Sequence, residues 1–156
     1  MSCSENNVID FASRANKQEA VAKLKLLCLI DSEIGRLNLV DKLKANYEIK
    51  TVSTIFNALQ LLKQEIPACV IVQLHLKDEN CFDFLRMLAS NSEFSRIPTI
   101  TCCVDDVFDK NIEDYLIKVA SFMGSKLYIP CADFYSPALG SKVALSLASK
   151  LFPLAS

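Results

Sequence analysis

Apolar residues fall along this chain in short unbroken runs, separated by longer stretches in which they recur every three or four positions. Leu26-Leu27-Cys28-Leu29-Ile30, Cys69-Val70-Ile71-Val72 and Thr99 to Val104 are runs of the first kind. Runs this short, bounded by polar residues or proline, have the pattern of strands buried on both faces. Tyr47 to Val52 alternates like a strand, and Lys126 to Ile129 makes a last short one. The intervening stretches read as helices. Leu39 and Leu43 continue a stripe from Ile34 or Arg36. Phe56, Leu59 and Leu62 mark one face over Thr54 to Glu65, and Phe82, Leu85 and Leu88 another over Cys81 to Asn91. Ile112, Leu116, Val119 and Met123 form the cleanest amphipathic pattern, and Leu139, Val143, Leu147 and Leu151 lie four apart in a final helix. Asp31-Ser32-Glu33 and Asp109 are positioned to cap helices, Pro67 and Gly124 to end them, and Ser136-Pro137 to open the last.

Five strands alternating with five helices require parallel pairing, because each helix is a crossover that returns the chain to the same end of the sheet. The expected fold is α/β: a three-layer sandwich around a five-stranded parallel sheet. The run at Cys69 is its core strand, delivering polar Gln73 to the rim ahead of a polar loop with His75, Lys77, Asp78, Glu79 and Asn80. In open α/β sheets that rim is where ligands and chemistry sit. Ahead of the domain expected over residues 23–156, residues 1–22 form a polar extension. Its Val8, Phe11, Ala12 and Ala15 are spaced for a marginal helix.

Composition narrows the classes of function. The chain of 156 residues is 51% hydrophobic and 22% charged, enough apolar surface for one ordinary core. A net charge of −1 gives no general attraction to nucleic acid or anionic lipid, so neither is an expected partner. No apolar run approaches the ~20 residues needed to span a bilayer, and the polar N-terminus lacks a signal-peptide layout, so the expected location is cytoplasmic. None of the seven cysteines is in C-x-x-C spacing. Most lie inside strand runs, where thiols behave as small hydrophobes, and the expectation is free thiols with no metal and no cofactor.

From Lys25 to Leu151 the order of markers resembles the receiver domains of two-component response regulators. An acid follows the first strand at Asp31, then comes the core strand, then Ile97-Pro98 before the fourth strand, then Gly124-Ser125 and Tyr128-Ile129 in the fifth. The resemblance implies a flavodoxin-like fold with strand order 2-1-3-4-5. It also implies a phospho-acceptor aspartate at the end of the third strand, where this chain has Gln73. An amide is a poor nucleophile and supplies no anionic oxygen to a hard cation. The paired metal-binding acids fall on Ile30-Asp31 or Asp31-Ser32, the switch hydroxyl on Cys103, and the Lys-Pro after the fifth strand on Cys131-Ala132. Asp31 is therefore the one acid kept, and its expected role is to cap the first helix.

The function this implies is that of a degenerate, non-phosphorylatable receiver, not an enzyme, acting through a protein partner and through its own surface. The resemblance places the contact face, or a homodimer, on the fourth helix, fifth strand and fifth helix, where Tyr115, Tyr128 and Tyr135 lie. Two other readings stay open. A flavodoxin-like protein could bind a nucleotide or flavin at the same rim, although Asp31-Ser32-Glu33-Ile34-Gly35 turns acids toward the anion. A thiol redox sensor could form if Cys103 and Cys131 converge there. His75, the only histidine, is expected in a solvent-facing loop.

Overall fold

The computed structural model describes residues 23–105 and 109–148. Five strands, β1 (Leu24–Leu29), β2 (Tyr47–Val52), β3 (Cys69–Gln73), β4 (Thr99–Cys102) and β5 (Ser125–Ile129), form one sheet in the order β2-β1-β3-β4-β5. Every neighbouring pair is parallel. Between them run α1 (Glu33–Leu43), α2 (Ile55–Gln64), α3 (Cys81–Ser90) and α4 (Lys110–Phe122), and α5 (Cys131–Phe134) and α6 (Ala138–Ser146) follow β5. The expected three-layer architecture, sheet order and element sequence are all present.

Because side chains alternate across a strand, each buried run feeds two cores. Leu26, Cys28, Ile71, Ile100, Cys102 and Ile129 face α1 and α6, meeting Leu39, Leu43, Leu139 and Val143. Leu27, Leu29, Val70 and Val72 face the other way and meet Ala58 and Leu62 of α2, Phe84 and Leu88 of α3, and Ala120 of α4. β3 is buried at all five positions, since it has strands on both edges and helices on both faces.

Two helices are rotated from the phase that the larger apolar residues suggest. In α1 the buried line is Gly35, Leu39 and Leu43, while Ile34 is exposed. In α2 it is Ile55, Ala58 and Leu62, while Phe56 is 67% exposed. The reason is close approach. A Cβ on Gly35 would lie 2.4 Å from Val104 Cγ1, so only glycine lets α1 sit this near the end of β4. Small residues belong where a helix touches the sheet most tightly, and a reading weighted toward large side chains passes over them. In α4 the expected stripe holds at Leu116 and Met123, with Ala120 fully buried between them, but Ile112 is 49% exposed.

The single-turn α5 was not expected; one turn shows no periodicity, and it is held by the buried ring of Phe134. β4 stops at Cys102 rather than Val104. Gly124 closes α4 with φ at 107°, as its position after the last turn predicts. The helix expected over residues 1–22, and Leu151 at the end of the last stripe, lie outside the described residues.

Candidate functional site

The C-terminal ends of β1, β3 and β4 meet at one rim, with Gln73 pairing across to Cys102 and Val72 to Leu29. Gln73 is not presented to solvent there: it is 2% exposed. Its Oε1 accepts from the backbone N–H of Asp31 at 3.0 Å and lies 3.5 Å from that of Ser32. Its Nε2 donates to the carbonyl of His75 at 2.6 Å. The amide can point only this way, since a backbone N–H can only donate and a carbonyl only accept. Both ends of the side chain are thus engaged, joining the β1–α1 turn to the β3–α3 loop.

Asp31 does not cap α1. The helix begins at Glu33, and the cap oxygen must come from the residue immediately before it. Ser32 supplies that oxygen, its Oγ accepting from Gly35 N at 3.0 Å. Asp31 instead turns its carboxylate to the loop and accepts from Lys77 N at 2.5 Å. Ile30 is wholly buried in the core, so Asp31 alone of the Ile30-Asp31 pair reaches the rim. Arg36 closes the turn from behind, donating to the Ile30 carbonyl at 2.8 Å.

The β3–α3 loop is fastened on its other side as well. Glu79 Oε1 accepts from Ile55 N at 3.0 Å, at the N-terminus of α2, beside Thr54 Oγ1, which caps by accepting from Asn57 N at 3.1 Å. A carboxylate there also meets the positive end of the helix dipole. What remains is a shallow depression bordered by Asp31, Ser53, Thr54, Gln73, Lys77, Asp78 and Asp105. His75 lies exposed on its edge, as a loop residue should. Among the described residues no group of three or more His, Cys, Asp or Glu is arranged to hold a metal ion.

Cys103 and Cys131 do approach a common place. Cys103 is buried just past β4 and donates to the Asp105 carbonyl at 2.9 Å, while half-buried Cys131, the first residue of α5, donates to the Val104 carbonyl at 3.6 Å. The six described cysteines are free thiols. Cys28 and Cys102 are wholly enclosed, and burial raises their thiol pKa values well above the ordinary range; burial pushes that of Cys81 up to about 12. Thiols in that condition are inert hydrophobes.

The three tyrosines differ. Tyr115 stands 66% exposed on α4. Tyr128, half-buried in β5, donates its hydroxyl to the carboxylate of Glu113. Burial first, and then this hydrogen bond, raise its pKa. Tyr135 donates to the Val104 carbonyl at 2.9 Å and meets Phe134 edge-on with ring centroids 5.0 Å apart. Glu79 and Glu113, which tie loop to helix and helix to strand, had no sequence signal, since a lone glutamate in a polar stretch looks like any solvated charge.

No protein-family model matches the chain, and no curated protein is similar to it in sequence. Solved structures are similar in fold. A response regulator from Chloroflexus aurantiacus J-10-fl superposes with a TM-score of 0.68 at 20% identity, covering 81% of this chain and 98% of that one. The signal receiver domain of a signal transduction histidine kinase from Syntrophus aciditrophicus gives 0.65 at 21%, over 81% and 91%. The receiver domain of a sensor histidine kinase from Pseudomonas aeruginosa PAO1, which holds a magnesium ion in its active-site cleft, gives 0.67 at 12%, over 82% and 100%. The fold of this chain is that of response-regulator receiver domains.

Proposed function

We propose that this protein is a cytoplasmic, receiver-like signalling module that carries no phosphoryl group, catalyses no reaction and acts by contact with a protein partner. The observation that carries this reading is the Gln73 side chain, whose two polar ends are already engaged by the backbone at Asp31 and His75. Phosphoryl transfer at that place needs an anionic nucleophile beside a metal held by neighbouring carboxylates. The amide offers neither, and the Asp31 carboxylate is occupied by Lys77 N. With Cys103 and Cys131 standing where a receiver's hydroxyl and lysine would be, the remaining groups of that chemistry are replaced too. A net charge of −1 supports a protein partner over nucleic acid or anionic lipid. The proposed contact face lies on α4, β5 and the helices after β5, where Tyr115, Tyr128 and Tyr135 stand.

The test is to incubate the protein with acetyl phosphate and magnesium, and separately with beryllofluoride and magnesium. Intact-mass spectrometry should show no phosphoryl adduct, and amide NMR shifts around Gln73 should not move. A phosphorylated species, or a magnesium-dependent shift at the rim, would refute the reading.

A further inference from the structure

The sheet ends on β2, whose outer side has no strand against it among the described residues. Backbone groups alternate in direction along a strand, so β2 turns some of its residues' N–H and C=O groups to β1 and the others away. The Val52 carbonyl accepts from Ile30 N at 3.0 Å, which puts the groups of Glu48, Lys50 and Val52 on the β1 side. Tyr47, Ile49 and Thr51 therefore direct theirs outward. Side chains follow the same alternation: Glu48 and Lys50 stand exposed on the α2 side, while Tyr47 and half-buried Ile49 pack into the core on the α1 side. An open edge of this kind is a template for another strand.

We propose that β2 pairs antiparallel with β2 of a second copy across a two-fold axis at Ile49, joining the two sheets into one. Such an isologous contact must complement itself. With Ile49 opposite its own copy, Tyr47 faces Thr51, and every outward N–H and C=O finds its partner, as in the hydrogen-bonded pairs of an antiparallel ladder. Glu48 then lies opposite Lys50 of the other copy, twice over, in the closer positions between those pairs, where opposite charges stabilise. The neighbouring symmetric registers fail on charge. An axis at Glu48 sets that carboxylate against its own copy, and an axis at Lys50 sets ammonium on ammonium, both destabilising. Lys25, 3.8 Å from Glu48, is drawn more closely to Glu65, so Glu48 keeps charge to offer across the axis. This edge is the one farthest from β5, so the dimer needs nothing from the proposed contact face or from the absence of phosphorylation.

Sedimentation equilibrium of the full chain, up to submillimolar concentration, should show twice the chain mass. As concentration rises, the amides of Tyr47, Ile49 and Thr51 should exchange more slowly, while those of Glu48, Lys50 and Val52, which point to β1, should not change. Thr51→Pro removes one outward N–H and should give a monomer that is folded by circular dichroism, because an edge strand accepts proline on its outer side. Glu48→Lys and Lys50→Glu should each weaken the dimer about tenfold, turning both cross-strand contacts from attraction to repulsion. Mixing these two variants in equal amounts should restore it, since each supplies the charge that the other lacks. A chain monomeric throughout, a dimer indifferent to Thr51→Pro, or a mixture that associates no more tightly than either variant alone would overturn the proposal.

Discussion

The side-chain oxygen of Gln73 accepts a 3.0 Å hydrogen bond from the backbone N–H of Asp31, 42 residues earlier in the chain. This bond crosses from β3 to the turn after β1, and with the Nε2 bond to His75 it makes Gln73 an internal clasp. Gln73→Ala removes both bonds together with a buried side chain and should cost about 2 kcal/mol or more, read by urea denaturation. Gln73→Glu keeps an acceptor for Asp31 N but, when ionised, turns an oxygen toward the His75 carbonyl. Its carboxyl pKa should then be raised in the folded state, so stability is fully present at acidic pH and lost as pH rises toward neutrality. An unchanged stability difference between acidic and neutral pH would show that the Nε2 donor is unimportant. On the proposed reading, Gln73→Asp alone should gain no phosphoryl group from acetyl phosphate, because Ile30 is buried in the core beside Asp31 and Cys131 offers no cation.

Gly35 and Val104 define the distance between α1 and the end of β4. Gly35→Ala should destabilise by about 1–3 kcal/mol, the usual cost of overpacking a filled core. The clash falls on Val104 Cγ1 at 2.4 Å and only secondarily on Ile30 Cγ2 at 3.1 Å. Shortening Val104 to Ala should therefore recover part of the loss, and a double-mutant cycle should show favourable coupling between the two changes. Additive losses would place the strain elsewhere.

Tyr128 fastens β5 to α4 through Glu113. Tyr128→Phe should cost about 1 kcal/mol and raise amide exchange rates along α4 more than along α1. If the proposed contact face is right, Tyr115→Glu with Tyr128→Ala should weaken partner or self-association through it while far-ultraviolet circular dichroism is unchanged. Binding retained by that folded variant would move the contact surface away from α4 and β5.

The buried thiols contribute to the loss of stability at alkaline pH. Cys81 has an ordinary pKa of 9.0, raised by burial to about 12. An unfolded chain ionises this thiol above pH 9 while the folded one holds it neutral, so its contribution is fully present below 9 and is lost between 9 and 12. The slope for one such group is about 1.4 kcal/mol per pH unit. Cys28 and Cys102 shift in the same direction, also through burial. Replacing Cys81 by Ala should flatten the fall of stability above pH 9 by one proton, measured by denaturation at stepped pH. A slope the same as that of the unaltered protein would mean that the thiol ionises in the fold.

The sequence by itself determined the layering: strands buried on both faces can only be parallel partners, and parallel strands need the crossovers that the helical periodicities supply. It determined Gln73 at the end of the core strand, Asp109 as a cap and Gly124 as the stop, because each depends on residues near in the chain; at the first helix it pointed to Asp31, one residue short of the Ser32 that caps. The tertiary structure decided the rest. The phases of α1 and α2 follow from Gly35 and Ala58, whose smallness matters only against the surface they touch. Asp31 turns to Lys77 and Glu79 to Ile55 because the loop after β3 lies between two helix N-termini, a neighbourhood that folding creates. The same holds for Tyr128 and Glu113. A hydrogen bond over a long sequence separation has no local pattern to announce it, since neither partner is unusual until the sheet brings the two together.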